Sequence, residues 1–238
     1  MRIIIVRHGE PDYVHDSLTE KGFREAQLLA KRLAPLDVKA YYCSPLGRAK
    51  DTAAPTLKAA NRQAETLDWL QEFRGKIRKG IKIESCWDRL PEEWCCNADY
   101  YDSEKWLDTK LMKSYNVKKE YDYVCDGVDA LLEKHGYRKN GRAYDVINSN
   151  HDTIVLFCHF GVECVVLSRI LSVSPMPLWH NFVALPSSVT TLITEERREG
   201  TAIFRIQQFA DISHLYAAGE EPSFAARYRE CYGDKERK

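Results

Sequence analysis

Apolar and polar residues fall in alternating blocks along this chain. Residues 2–6 are nearly all apolar and β-branched, which predicts a strand buried on both faces of a parallel sheet. A turn-like stretch follows through Pro11-Asp12. Ser17-Leu18-Thr19-Glu20 has the spacing of a capping box. The helix it opens would place Phe23, Ala26, Leu29, Ala30 and Leu33 on one face, and Pro35 ends it. A second strand is expected over Val38–Cys43. Ser44-Pro45 then reads as an N-cap with proline at the first helical position, opening a helix that runs through Ala60. Thr66–Leu70 reads as a short strand. Further on, the pattern predicts a helix from Lys118 to His135, a strand over Thr153–Cys158 and a helix from Gly161 to Leu171. The last strands are Ser188–Thr194 and Ala202–Phe209.

Residues 76–120 break this rhythm. They are irregular, charged and aromatic, and hold Trp87, Trp94 and Trp106. The alternation elsewhere predicts a three-layer α/β/α fold with a mostly parallel central sheet and a cap inserted at about 76–120. One domain would cover residues 1–232, followed by a charged, frayed tail at 233–238. In open sheets of this kind ligands bind beyond the carboxyl ends of the strands. Arg7-His8, Cys43-Ser44 and His159 are therefore expected on one rim.

Composition narrows the partners. The 238 residues carry 35 basic and 35 acidic side chains, a net charge of +0. Nothing global favours nucleic acid or a membrane surface, so any anion site must be local. No apolar stretch is long enough to span a bilayer. The eight cysteines contain no C-x-x-C pair, and the opening apolar run is too short for a signal peptide. Reduced thiols in a cytoplasm are the expectation.

Four segments carry candidate chemistry. In Arg7-His8-Gly9-Glu10 a histidine ends the first strand. Neutral imidazole can attack phosphorus, and an arginine can hold phosphate oxygens in pairs; a strand-end histidine beside a solvated arginine is the bland alternative. Arg48 stands in the first turn of a helix, where the free N–H groups and the dipole already favour an anion, although an exposed first-turn arginine is common. His159, two residues before Gly161, ends the most apolar strand, and reads either as a donor to a transferring phosphoryl group or as a satisfied core histidine. Glu72, between Leu70 and Phe73, reads as a proton donor with a raised pKa or as an ordinary loop glutamate.

Taken in order, these segments resemble the histidine phosphatase superfamily, on its phosphoglycerate-mutase-like branch. Arg7-His8-Gly9-Glu10 resembles the nucleophile motif, and Leu18-Thr19-Glu20-Lys21-Gly22 the L-T-x-x-G helix start. The run from Ser44 to Ala53 matches S-x-x-x-R-A-x-x-T-A. Leu70-Gln71-Glu72 is similar to the segment bearing the proton donor, and His159-Phe160-Gly161 to the second histidine. The likeness covers roughly residues 1–75 and 150–215. It implies that His8 forms a phosphohistidine, that Arg7, Arg48 and His159 cradle the phosphate, and that Glu72 protonates the leaving group and then activates water. No metal and no cofactor are implied. Many members place an asparagine a few residues beyond the nucleophile. Here the segment reads Pro11-Asp12-Tyr13-Val14-His15, with His15 as one substitute. Glu10-Pro11 stands where the acid-phosphatase branch has arginine and proline.

The expected activity is hydrolysis of a small phosphate monoester. A phosphomutase is the alternative, and a non-catalytic phosphate-binding module the third reading. A cysteine phosphatase is disfavoured because only four residues separate Cys43 from Arg48, where five are needed. Arg74 and Arg78, in a basic run beside Glu72, and Trp87 and Trp94 are candidate specificity residues. The tryptophans would wall an organic leaving group, or else form the core of a cap or the contact of a homodimer. From Glu84 to Asp108 the segment is acidic, with Glu84, Asp88, Glu92, Glu93, Asp99, Asp102, Glu104 and Asp108 against Arg89 and Lys105. Read as a lid, it would repel a bisphosphate and favour hydrolysis over mutase chemistry.

Overall fold

The structure, a computed structural model, describes residues 1–223, 228, 229 and 231–233. Residues 234–238 of the expected frayed tail lie outside the described residues.

Eight strands form one mixed sheet. In chain order its first half comprises β1 (Arg2–Arg7), α1 (Glu20–Leu33), β2 (Ala40–Cys43), α2 (Gly47–Ala60) and β3 (Ala64–Thr66). A separate hairpin follows, β4 (Lys76–Lys79) with β5 (Lys82–Ser85), then several short turns of helix and α3 (Val117–Lys134). The second half contains β6 (Tyr137–Asn140), β7 (Ala143–Val146), β8 (Thr153–Cys158), α4 (Phe160–Leu171), α5 (Pro175–Asn181), β9 (Val189–Arg198) and β10 (Thr201–Asp211). Across the sheet the order is β3-β2-β8-β1-β9-β10-β7-β6. The core strands β3, β2, β8 and β1 are mutually parallel, as the blocks of β and α pattern predict. Strands β9, β10, β7 and β6 add an antiparallel flank, whose short β6–β7 hairpin the hydrophobic pattern leaves unread.

The period of a strand explains the three layers. Ile4 and Val6 of β1 face a cluster with Leu29, Leu33, Ala49 and Ala53 from α1 and α2. Ile3 and Ile5 face the opposite way, into a cluster with Val128 and Leu132 of α3 and Val162 and Val166 of α4. Trp94, Tyr100, Trp106 and Met112 join this second cluster, so the segment expected as a cap roots its aromatic residues in the same core as the sheet. Trp106 meets Trp179 and Tyr121 edge to face, at centroid distances of 5.7 and 5.0 Å. Among the described residues no helix is long and apolar enough to cross a membrane.

Local details differ from the sequence reading. Thr19, not Ser17, caps α1, accepting from the Gly22 N–H at 3.1 Å. Ser17 instead donates to Asp51 and sits in a two-residue bridge with Asp12. Phe23 is half-exposed, and Glu25 takes the buried place on that helix face. Helix α2 starts at Gly47 with Leu46 at its N-cap. Ser44 lies further back, fully buried, for a reason given below. The expected strand Thr66–Leu70 divides into β3 and a 3-10 turn over Asp68–Leu70.

Candidate active site

Strand register assembles the rim. Arg7 pairs with Cys158 and Phe157 with Cys43, so β1, β8 and β2 end level. The next residues, His8, His159 and Ser44, therefore emerge side by side. The His8 and His159 rings lie 5.1 Å apart between centroids. Backbone bonds fix the loop that follows β1. His8 N–H donates to Cys158, Gly9 N–H to Thr52 Oγ1 at 2.9 Å, and Glu10 N–H to Glu25 Oε2 at 2.8 Å; the His8 carbonyl accepts from Ser187.

His8 is buried, with Nδ1 2.7 Å from the Gly9 carbonyl. A carbonyl only accepts, so Nδ1 carries the proton and Nε2 keeps its lone pair. Burial, then the nearby Arg7 and Arg48 charges, hold its pKa well below the usual imidazole range. The ring is therefore a neutral nucleophile. His159 is also buried. Its Nε2 lies 2.8 Å from Ser44 Oγ, which accepts from the Leu46 N–H at 3.3 Å. That hydrogen bond explains the burial of Ser44. That bond can run either way; where the Ser44 hydroxyl donates to Nε2, the His159 proton sits on Nδ1, a buried atom with no hydrogen-bond partner among the described residues. Burial, then His8 and the two arginines, lower its pKa too.

Arg7 is buried and donates to the Ala184 carbonyl. Arg48 sits at the start of α2, paired with Asp16 at 2.6 Å and 5.5 Å from the centre of the Tyr13 ring. Asp16 also accepts from the Gly47 N–H at 2.7 Å, which fixes the helix start and its arginine together. Glu72 is held through one oxygen, Oε1, which accepts from the N–H groups of Phe73 and Val162 at 2.7 and 3.1 Å. A proton on this carboxyl therefore belongs on Oε2. Burial raises its pKa, opposed by those amides, Arg7 and Arg48. Gly161 makes room for it, since a Cβ there would stand 2.5 Å from Glu72 Oε1. Behind Arg7, the buried Glu163 of α4 has its pKa raised to about 7, chiefly by burial and partly offset by Thr190 and Arg7.

Arg7 and Glu72 also line a pocket of about 430 Å³. Of the candidate specificity residues Trp87 lines it, while Trp94 stands behind, stacked on His180 at 4.8 Å. Arg74 and Arg78 do not reach it. Arg74 pairs with Glu120 at 3.5 Å, and Arg78 lies over Tyr115 at 5.5 Å. Arg89, which sequence proximity passes over, lines the pocket instead. The acidic segment is not a lid as a whole. Asp88 lines the pocket, whereas Glu84 and Glu93 pair with Arg89, and Asp102 and Asp108 pair with lysines elsewhere. His15 is exposed and bonded to Asp12, so it does not fill the expected asparagine's place; Tyr13, from the same loop, lines the pocket. Cys43 is buried with its thiol pushed up to about 12, the opposite of a reactive thiolate. Among the described residues no group of three or more His, Cys, Asp or Glu side chains could hold a metal ion.

Comparison with known proteins agrees with this geometry. A family model described as the histidine phosphatase superfamily (branch 1) matches residues 3–206. The first curated relatives match in part only: the alignments span 32% of a probable phosphatase of Schizosaccharomyces pombe and 59% of the next relative. The latter is the 2,3-bisphosphoglycerate-dependent phosphoglycerate mutase of Thermoplasma acidophilum, 31% identical over 37% of this chain. Phosphoserine phosphatase 1 of Hydrogenobacter thermophilus is 22% identical over 83% of this chain and 89% of its own length. Among solved structures, phosphoserine phosphatase of Entamoeba histolytica in complex with 3-phosphoglyceric acid superposes with a TM-score of 0.58 at 18% identity. That match covers 90% of this chain and 98% of the other, and shows the shared fold.

Proposed function

The chain belongs to the histidine phosphatase superfamily, branch 1, and on that premise we propose that it hydrolyses a small phosphate monoester through a phosphohistidine at His8. The observation that carries the reading is the His8 ring itself. Its Nδ1 is tied to the Gly9 carbonyl, and its neutral Nε2 is left as nucleophile in a site bounded by two arginines, a second histidine and a carboxyl of raised pKa.

Two in-line displacements follow. His8 Nε2 attacks phosphorus and the ester P–O bond breaks, while Glu72 gives its Oε2 proton to the departing oxygen. Arg7 and Arg48 hold the phosphoryl oxygens, and His159 Nδ1–H donates to the charge that spreads over them. A water then passes a proton back to Glu72 and attacks phosphorus, the N–P bond breaks, and inorganic phosphate leaves. Both charges on the cradle come from arginines, so this scheme calls for no metal and no cofactor.

The partner is a small phosphate ester, and the segment 76–120 serves as the cap over its leaving group, contributing Trp87, Asp88 and Arg89 to the pocket. The phosphomutase reading draws on the mutase relative. A mutase must also hold a second phosphate. Among the described pocket residues the cation available beyond Arg7 is Arg89, and Glu84 and Glu93 already neutralise it. Cys43, Cys86, Cys95, Cys96, Cys125, Cys158 and Cys164 form no disulfide, which suits a cytoplasmic enzyme. The test is release of phosphate from a panel of phosphorylated metabolites by the purified protein and by His8→Ala. Equal release by both sinks the proposal.

A further inference from the structure

The outer pocket has an unusual surface for a phosphate-ester site. Six aromatic side chains line it: Tyr13, Trp87, Phe160, Trp179, Phe182 and Tyr228. Tyr13, Phe182 and the neighbouring Val183 are 50, 41 and 44% exposed, so three large apolar side chains meet solvent around one opening. A cluster of this kind, rather than a scattering, marks a binding surface.

Other contacts hold the walls in place. Trp87 Nε1 donates to the Phe73 carbonyl at 3.1 Å, and its ring stands beside Gly161, where a Cβ would come within 3.3 Å of Cε2. Trp179 Nε1 donates to the Gly161 carbonyl at 3.0 Å, and its ring stacks on Phe73 at 5.3 Å. Phe182 packs edge to face on Phe209 at 5.1 Å. With both indole N–H groups engaged, the tryptophans offer apolar surface and not hydrogen bonds.

The charges point the same way. Arg89 gives two N–H bonds to Glu84 Oε2, at 2.8 and 2.9 Å, and lies 3.3 Å from Glu93 through Nε. Its guanidinium, 8% exposed, is thus matched by two carboxylates before any substrate arrives. His180 accepts the Arg89 backbone N–H on Nε2 and donates from Nδ1 to the Met176 carbonyl, so it is neutral, with burial lowering its pKa. A leaving group bearing a carboxylate or a second phosphate would find Arg89 already matched by Glu84 and Glu93.

We infer that the pocket selects phosphate monoesters whose leaving group is an uncharged aromatic alcohol, with Trp87 and Phe182 as specificity-determining residues. This rests on the proposed hydrolysis at His8. It sets the chain apart from relatives named for phosphoserine or phosphoglycerate, compounds that carry a carboxylate beside the ester.

The test compares 2-phenylethyl phosphate with ethyl phosphate, 3-phosphoglycerate and phosphoserine, all esters of alcohols, so that leaving-group basicity does not decide the order. The expected result is a kcat/KM for the phenylethyl ester at least about tenfold above each of the others. Phe182→Leu and Trp87→Leu should each shrink the phenylethyl-to-ethyl ratio by about threefold or more; Phe182, being half-exposed, keeps the comparison usable if the tryptophan variant folds poorly. Faster turnover of 3-phosphoglycerate or phosphoserine, or unchanged ratios in both variants, overturns the inference and leaves hydrolysis standing. No phosphate release from any ester, p-nitrophenyl phosphate included, overturns the hydrolase reading and the inference with it.

Discussion

Glu163 is the buried group whose ionisation has the clearest price in stability. Its carboxyl is 1% exposed on the first turn of α4, and its pKa is raised from 4.5 to about 7. The neutral acid is the form the fold prefers. Between pH 4.5 and 7 the folded chain holds a proton on this group that the unfolded chain has lost. The stabilisation linked to that proton is complete below pH 4.5 and disappears as pH rises through 7. At about 1.36 kcal/mol per pH unit, the gap between 4.5 and about 7 is roughly 3 kcal/mol, most of it lost between pH 5 and pH 8. Glu163→Gln keeps the shape and cannot ionise. Urea unfolding of both proteins at pH 5 and pH 8 isolates the effect, because every other titrating group, including Glu25, cancels in the double difference. The variant should gain about 2 to 3 kcal/mol relative to wild type on going from pH 5 to pH 8. The same stability difference at both values would show that Glu163 is already ionised in the folded protein, compensated by Arg7 or Thr190 more fully than its burial suggests.

Four further outcomes follow from the site. Glu72→Gln should slow hydrolysis of alkyl phosphates by about 10²–10⁴-fold while costing nitrophenyl phosphate only a few-fold, measured as kcat on each; equal losses would assign the acid elsewhere. In wild type, alkyl-ester kcat/KM should fall on the alkaline side as Glu72 loses its raised-pKa proton, whereas His8, held well below 6.5, stays neutral towards acid; a profile falling first on the acid limb near 6.5 would contradict this. Gly161→Ala places a methyl 2.5 Å from Glu72 Oε1 and should lower kcat on alkyl esters by at least about tenfold, with unchanged kinetics as the refuting result. Incubation with EDTA should leave turnover intact and vanadate should inhibit it, whereas loss on chelation restored by magnesium or zinc would require a metal step.

Much of the rim was legible because few ingredients define it. A continuous β-branched run has one home, a strand covered on both faces, and the rule for parallel sheets then brings His8, Ser44 and His159 together from distant parts of the chain. The antiparallel β6–β7 hairpin was not legible, since its four-residue strands mix Tyr137 and Tyr144 with charged residues and show no apolar block. Capping failed by two residues because Ser17 has the glutamate three positions on that a capping box needs, whereas Thr19, followed there by Gly22, is only a good N-cap residue type. Only the tertiary bond from Ser17 to Asp51 decides between them. The outer pocket was misread for a similar reason. Arg74 and Arg78 lie near Glu72 in sequence, but the β4–β5 hairpin and its neighbours place them against Glu120 and Tyr115. A signal for Arg89 did exist: one arginine in an acidic stretch, with Glu84 five residues before it and Glu93 four after, is the pattern of a buried ion cluster rather than of a repelling lid.

The proposed hydrolysis turns on transfer of the phosphoryl group to His8 Nε2. Rapid mixing of the enzyme with a radiolabelled phosphate ester, quenched in alkali where a phosphohistidine survives, and peptide mass spectrometry of the product test it most directly. The expected product is the peptide containing His8 with the added mass of one phosphoryl group, lost on acid treatment, chased by water as unlabelled ester is added, and absent from His8→Ala. Label on another residue, or full turnover with no protein-bound phosphate during the first cycle, would contradict it.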